Sequence, residues 1–163
     1  MKKQYIIPIF VPHLGCPNDC VFCNQKSISG QKKHTTKDEA KKIIDSYLES
    51  IKNEDAKIEI VFYGGSFTAI DEKVQEELLQ VAYQYIKKGK VEGIRILTRP
   101  DAIDKPTLKR LKKYKVKTIE LGVQSANNYI LNKANRGHDF ESVKKASKLI
   151  RWYGFNLGHQ MMV

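Results

Sequence analysis

The sequence has no hydrophobic run of transmembrane length, and it contains only three cysteines and one tryptophan. A helix that crosses a bilayer needs about 20 consecutive apolar residues, so no membrane-spanning segment is predicted. A disulfide framework needs an even number of cysteines, and three leave one over. The short apolar run after Met1-Lys2-Lys3 is broken by Pro8 and Pro12, which is not typical of a secretory signal peptide. We therefore expect a reduced, cytoplasmic protein with no membrane partner.

The length and charge set broad limits on the class of protein. The 163 residues, of which 41% are hydrophobic, suit one domain with a hydrophobic core. The formal net charge is +11, because 29 lysines and arginines face 18 acidic residues. Two interpretations stay open: a lysine-rich surface that is simply solvated, or a field that attracts a polyanion such as RNA. Charge alone does not separate them.

Strand and helix patterns alternate along the chain. Strands are predicted at residues 5–11, 58–63, 94–97, 118–123 and 155–163, with helical patterns between them. This alternation predicts a parallel α/β sheet, either doubly wound or part of a (β/α) barrel. The last residues, Met161-Met162-Val163, fall inside a strand that is predicted to be buried. We therefore expect residues 1–163 to be one truncated core domain of a longer protein.

Several local signals set the boundaries of these elements. Pro8 predicts that the first strand lies at an edge of the sheet or is irregular. Thr36 and Glu39 have the spacing of a capping box at a helix start. Asp139 is expected to cap the last helix and Gly154 to end it.

The three cysteines form a single motif, Cys16-Pro-Asn-Asp-Cys20-Val-Phe22-Cys23. Three thiolates can hold three irons of a cubane 4Fe-4S cluster and leave the fourth iron without a protein ligand, which makes that iron a reaction site. Zinc is the main alternative. His13 precedes Cys16 by three residues, so His13 and the three cysteines could form a Cys3His zinc site.

Unusual residues lie at, near or just after the end of each predicted strand, where parallel sheets place their ligand sites. They are the cysteine loop, Gly64-Gly65-Ser66, Thr98-Arg99-Pro100-Asp101, Gln124-Ser125 and His159-Gln160. Each also has an ordinary interpretation as a turn or a solvated polar residue. Together they predict one polar rim on one side of the sheet.

Four residues outside these motifs also have two interpretations. Arg136 is either a surface arginine or a group that forks onto a carboxylate. His34 and His138 are expected to be exposed loop residues rather than ligands, and Trp152 is expected to pack rather than stack on a ligand.

These motifs resemble those of the radical S-adenosylmethionine (SAM) enzymes. The spacing Cys16-x3-Cys20-x-Phe22-Cys23 matches the cluster motif of that superfamily. The phrases Tyr-Gly-Gly-Ser-Phe, Thr-Arg-Pro-Asp, Glu-Leu-Gly-Val-Gln-Ser and Asn-Arg-Gly-His are similar to the Elp3-type branch, the catalytic subunit of Elongator, which modifies the wobble uridine of transfer RNA. The resemblance implies a partial (β/α) barrel, with about five of the usual six β/α units present.

The resemblance also implies cofactors and residue roles. Cys16, Cys20 and Cys23 would bind three irons, and SAM would chelate the fourth, where reductive cleavage yields a 5′-deoxyadenosyl radical. The residues that match SAM contacts of the family are Phe22, Gly64, Gly65, Ser66, Gln124, Arg136 and Gln160. Within this set, Ser66 stands where many members carry glutamate.

Partners and substrate follow from the same resemblance. An electron donor such as ferredoxin or flavodoxin is implied, and transfer RNA is the expected substrate of an Elp3-type enzyme. Two alternatives stay open. One is a radical SAM enzyme that acts on a small molecule, like the oxygen-independent coproporphyrinogen oxidases, which Gly-Val-Gln-Ser also resembles. The other is a zinc-binding interaction module without catalysis.

Overall fold

The computed structural model describes residues 3–12, 18, 20–23, 34–53 and 55–162, and strands and helices alternate through them. The strands are β1 (Gln4–Val11), β2 (Lys57–Gly64), β3 (Gly93–Thr98), β4 (Val116–Gln124) and β5 (Asn156–Met161). The helices are α1 (Lys37–Ser50), α2 (Glu72–Lys87), α3 (Lys105–Lys113), α4 (Asn128–Lys133) and α5 (Phe140–Trp152). The predicted alternation is confirmed. In this described part of the chain, no helix has the length and apolar character needed to cross a membrane.

The strand order distinguishes the two predicted architectures. All neighbouring strands are parallel, and their order in the sheet is β1-β2-β3-β4-β5, the order of the sequence. A doubly wound sheet reverses its strand order at a switch point, whereas a (β/α) barrel places each strand beside its predecessor. The fold is therefore of the barrel type. Among the described residues β1 and β5 have one neighbour each, so the sheet is open and Pro8 lies on an edge strand, as predicted.

The hydrophobic core lies between the helices and one face of the sheet. Alternate residues of each of the first four strands point to this face, and they meet apolar residues of the helices. The fully buried members with the largest side chains include Ile7, Ile9, Ile44, Ile60, Phe62, Phe67, Leu78, Leu79, Ile94, Ile96, Leu108 and Leu111. Because α2, α3 and α5 also contribute apolar residues, this packing fixes which face of each strand points away from the helices.

The opposite, inner face of the sheet carries a row of polar side chains. Arg95 on β3 lies 2.7 Å from Glu59 on β2 and 2.7 Å from Glu120 on β4. Glu120 also accepts a hydrogen bond of 3.0 Å from Gln160 Nε2 on β5. We call these four residues the inner ladder. They join four strands on the side of the sheet that faces the interior of a barrel.

The predicted helix boundaries are confirmed by their caps. Thr36 Oγ1 accepts a hydrogen bond from Glu39 N at 3.3 Å, and Glu39 Oε2 accepts one from Thr36 N at 2.8 Å. Asp139 Oδ1 accepts from Ser142 N at 2.7 Å. Gly154 follows α5 with a φ of +76°, which a glycine adopts without a steric penalty.

Two expectations about packing were wrong. The fifth strand was expected to be buried, but most residues of β5 are exposed, because β5 has a neighbour on one side only among the described residues. Trp152 was expected to pack, but it is 77% exposed. It ends α5 on the side that faces away from the sheet.

Candidate functional site

The predicted rim exists at the carboxyl ends of the strands. Val11 at the end of β1 pairs with Gly64 at the end of β2, and Val11 O accepts a hydrogen bond of 2.8 Å from Gly65 N. Gly64 has a φ of +106°, and a Cβ there would lie 2.4 Å from the ring of Phe10. Glycine is therefore required for the chain to pass this close to β1.

The described part of the cysteine loop contains two of the three thiols. Cys20 is buried, and Cys23 N donates a hydrogen bond of 2.9 Å to Cys20 O, which closes a turn. Phe22, within that turn, is 44% exposed. Cys16 and His13 lie outside the described residues, so neither predicted ligand set is complete here. Within the described residues no group of three potential metal ligands comes together.

A tight turn after α4 contacts the cysteine loop. Val21 N donates a hydrogen bond of 3.1 Å to Ala134 O. Gly137 has a φ of +76°, and a Cβ there would lie 2.2 Å from Asn18 Nδ2, so Asn18 packs directly on this glycine. Asn135 also has a positive φ, of +51°. We call residues 134–138 the Arg136 turn.

Arg136 is buried, not a surface arginine. Its Nη2 donates to Gly122 O at 2.8 Å, and its Nη1 donates to Cys20 Sγ at 3.6 Å. Its Nε is buried and has no hydrogen-bond partner. No carboxylate among the described residues forms an ion pair with it. A buried charge without a counterion costs several kcal/mol, so this site favours an anionic ligand.

Gln124 and Arg136 are brought together over Gly122. A Cβ on Gly122 would lie 2.7 Å from Arg136 Nη2 and 3.3 Å from Gln124 Nε2. Gln124 itself has a φ of +70°, which is uncommon for a residue with a side chain. The glycine thus makes room for two of the predicted contacts at the end of β4.

The hydroxyl of Ser66 is engaged within the protein. Ser66 Oγ lies 2.9 Å from Thr98 Oγ1 and accepts from Arg99 N at 3.2 Å. Thr98 Oγ1 is also 2.5 Å from Thr68 Oγ1. These contacts tie the end of β2 to the end of β3. Both the Ser66 hydroxyl and the Gly65 N–H, which donates to Val11 O, therefore have partners within the protein.

Gln160 and His159 point to opposite faces of β5. Gln160 pairs in register with Gly122 and belongs to the inner ladder, so it lies on the same face as the rim residues of β4. His159 Nε2 lies 2.9 Å from Ser147 Oγ on α5. His159 therefore points to the helix layer, and its place in the predicted rim was wrong.

Three residues that were not among the predicted SAM contacts form a network beside the Arg136 turn: Arg99 and Asp101, which belong to the predicted rim, and His138. Arg99 is 2% exposed and forks onto both oxygens of Asp101, at 2.9 and 3.0 Å. Its Nη2 also donates to Arg136 O at 2.9 Å. His138 was expected to be exposed, but its side chain is fully buried and its Nδ1 lies 4.0 Å from Asp101 Oδ1. Arg99 and Asp101 stand two residues apart in Thr-Arg-Pro-Asp, which was the available signal.

The surroundings of His138 favour its neutral form. Burial lowers its pKa below the ordinary value, and the charge of Arg136 lowers the pKa further, while Asp101 opposes the shift. A neutral imidazole adds no positive charge to this network. Arg136 therefore supplies the excess positive charge, since Arg99 is paired with Asp101.

An open parallel sheet in barrel order, with thiols and a buried arginine at the carboxyl ends of its strands, is the arrangement of a (β/α)-barrel domain, a fold that places its ligand sites at that edge. Residues 10–163 match the family model of the Radical SAM superfamily. The chain belongs to this superfamily.

Individual relatives agree with this assignment. The chain is 32% identical over 157 residues to an uncharacterized protein of Methanocaldococcus jannaschii. This match covers 90% of this chain and 48% of that protein. It is 24% identical over 186 residues to the tRNA uridine(34) acetyltransferase of Dehalococcoides mccartyi, covering 96% of this chain and 40% of that protein. The chain spans about half the length of the first curated relatives it matches.

A solved structure shows the same fold. The Elp3 of the archaeon Methanocaldococcus infernus superposes with a TM-score of 0.70 at 21% identity, covering 99% of this chain and 38% of that chain. The predicted partial barrel and the predicted resemblance to the Elp3-type branch are confirmed.

Membership of the superfamily implies a 4Fe-4S cluster and SAM, and the described residues fit both groups. Thiolates are the usual ligands of iron–sulfur clusters, and two of the three thiols lie at the rim. The guanidinium of Arg136, which has no carboxylate partner within the described ranges, fits a carboxylate or another anion. The space over Gly122 lies beside this guanidinium and the Gln124 amide.

Proposed function

We propose that this domain binds a 4Fe-4S cluster through Cys16, Cys20 and Cys23, binds SAM at the open iron, and acts in the modification of transfer RNA. When bound, the cluster and SAM supply one-electron cleavage of the sulfonium to a 5′-deoxyadenosyl radical. The single observation that carries the proposal is the buried Arg136 beside Cys20, with no carboxylate partner among the described residues.

The residues of the rim have distinct roles in this proposal. Arg136 neutralises the carboxylate of SAM, because a guanidinium can donate two parallel hydrogen bonds to a carboxylate. The backbone of Gly64 and Gly65 offers polar groups to the SAM amino end. Gln124 would bond the ribose hydroxyls, and the backbone of Phe22 would lie beside the adenine.

Ser66 and Gln160 have weaker support as SAM contacts. The Ser66 hydroxyl already bonds Thr98 and Arg99, so it acts by holding the glycine loop in place. Gln160 bonds Glu120 and reaches the ribose only if this hydrogen bond is exchanged. We therefore expect substitution of Gln160 to weaken SAM binding less than substitution of Gln124.

Two observations support transfer RNA as the substrate. The relative from Dehalococcoides mccartyi is a tRNA uridine(34) acetyltransferase. The net charge of +11 favours association with a polyanion. A small acidic redox protein, of the ferredoxin or flavodoxin kind, is the proposed electron donor.

Anaerobic reconstitution with iron and sulfide tests the cofactor part of the proposal. We expect about four irons and four sulfides per chain by the stoichiometry of such a cluster, and 5′-deoxyadenosine when SAM and a reductant are added. Cys23→Ser should lose the cluster, while Ser50→Ala, a surface change at the end of α1, should keep it. A colourless protein that holds one zinc ion would refute the proposal and favour the zinc-binding module.

The substrate part needs a separate measurement. Binding of transfer RNA is measured at several salt concentrations, with heparin as a polyanion that carries no bases. We expect transfer RNA to bind more tightly than heparin at matched salt, and the affinity to fall as salt rises. Equal binding of both polyanions, or no binding of transfer RNA, would leave the radical chemistry standing and reject this substrate.

A further inference from the structure

The backbone of Arg136 is held on both sides. Its N–H donates a hydrogen bond of 3.0 Å to Leu131 O, and its C=O accepts one of 2.9 Å from Arg99 Nη2. The residues on either side, Asn135 and Gly137, both have a positive φ. With both backbone polar groups fixed in such a tight turn, the side chain of Arg136 leaves the chain in one direction, toward Gly122 O and Cys20 Sγ.

Arg99 is itself held rigidly. Its guanidinium forks onto Asp101, its backbone N–H donates to Ser66 Oγ, and it is almost fully buried. A fork of this kind restricts the guanidinium plane far more than a single contact does. The hydrogen bond from the Arg99 guanidinium to Arg136 O therefore starts from a fixed point at the end of β3. This hydrogen bond links the end of β3 to the Arg136 turn, although Arg99 and Arg136 are 37 residues apart in the sequence.

We propose that Arg99 is a positioning residue that, clamped by Asp101, holds the Arg136 turn so that Arg136 faces the cysteine loop and the anionic end of SAM. This inference rests on the proposed SAM-binding role of Arg136. In this role Arg99 acts through the carbonyl of Arg136 rather than as a cofactor ligand. Lysine cannot replace it, because one ammonium cannot fork onto Asp101 and reach that carbonyl from the same plane.

The test is a double-mutant comparison of SAM affinity on the reconstituted protein, by calorimetry. Arg99→Lys should raise the dissociation constant for SAM about tenfold, as expected for the loss of one charge-assisted hydrogen bond that fixes a binding group. In an Arg136→Met background the same change should add nothing, because the group that Arg99 positions is already gone. Arg110→Lys is the matched control: Arg110 lies on α3 and pairs with Glu72 at 3.0 Å.

Hydrogen exchange of the protein without cofactors gives an independent readout. In Arg99→Lys, the peptide that spans residues 134–138 should exchange faster than in the wild type, while Arg110→Lys should leave it unchanged. Asp101→Asn weakens the hydrogen bonds that hold the Arg99 guanidinium, and it leaves Arg99 in place. It should lower SAM affinity and speed hydrogen exchange of residues 134–138, as Arg99→Lys does. This second variant tests the inference if Arg99→Lys does not fold.

The outcomes separate this inference from the proposed function. A wild-type protein that takes up the cluster but binds no SAM rejects the proposed function. Wild-type SAM affinity in both Arg99→Lys and Asp101→Asn rejects only the role of Arg99. An equal loss of affinity in the wild-type and Arg136→Met backgrounds, or unchanged exchange of residues 134–138, also overturns it.

Discussion

Replacing Gly122 with alanine inserts a methyl group between the two side chains at the end of β4. The new Cβ would lie 2.7 Å from Arg136 Nη2 and 3.3 Å from Gln124 Nε2, so at least the guanidinium must move. That movement breaks the 2.8 Å hydrogen bond from Nη2 to Gly122 O. Gly122→Ala therefore displaces the guanidinium of Arg136 without changing any of the cysteines.

The size of the effect follows from two opposing terms. A hydrogen bond from a charged donor contributes about 1.5–3 kcal/mol. Alanine in a strand is more favourable than glycine by roughly 0.5–1 kcal/mol. The free energy of unfolding should thus fall by only about 1–2 kcal/mol. SAM affinity should fall at least about tenfold, because a factor of ten needs only about 1.4 kcal/mol of lost interaction.

Thermal unfolding of the protein without cofactors and calorimetric titration of the reconstituted protein with SAM measure the two effects. Gly93→Ala is the matched control: its Cβ would meet only the flexible stem of Lys117, at the opposite end of the strands. Gly93→Ala should keep wild-type SAM affinity. If Gly122→Ala binds SAM as tightly as the wild type, the guanidinium of Arg136 is not what holds the cofactor.

Two further predictions concern stability. Arg95→Met leaves Glu59 and Glu120, both largely buried, without the partner that they share. The free energy of unfolding, measured in urea, should fall by about 2 kcal/mol, which is less than for a fully buried pair. An unchanged unfolding midpoint would show that the inner ladder does not stabilise the fold. The pKa of His138 is lowered in the folded state. The unfolded state therefore binds more protons than the folded state once the pH falls below the ordinary histidine pKa of about 6.5. The free energy of unfolding should decrease as the pH falls through that range. His138→Gln should flatten this decrease between about pH 7 and 5, whereas His159→Gln should not.

Local sequence patterns predicted most of the fold. The capping box at Thr36, the cap at Asp139 and the glycine after α5 depend on contacts within a few residues, so their residue types suffice to predict them. Strand and helix alternation likewise follows from the period of apolar residues. The choice of a barrel over a doubly wound sheet did not follow from these patterns alone, because it depends on which strands are neighbours; the resemblance to a known family supplied it.

The site was predicted as a set of residues, not as an arrangement. The sequence pointed to the ends of the strands and to Arg136 through motif resemblance. It did not predict that His138 is buried or that Arg99 bonds the carbonyl of Arg136. Burial of a loop histidine depends on what packs over the loop, and in this protein the cysteine loop and the end of β3 do so.

The sequence by itself determined the chemistry available here: three closely spaced thiols, glycines where the backbone must pass closely, and an excess of positive charge. Only the tertiary structure decided which of these groups meet. Arg136 and Cys20 are 116 residues apart, and Arg99 and Arg136 are 37 apart. Such pairs have no local periodicity or spacing to reveal them, because they form when parallel strands bring their carboxyl ends to one edge of the sheet.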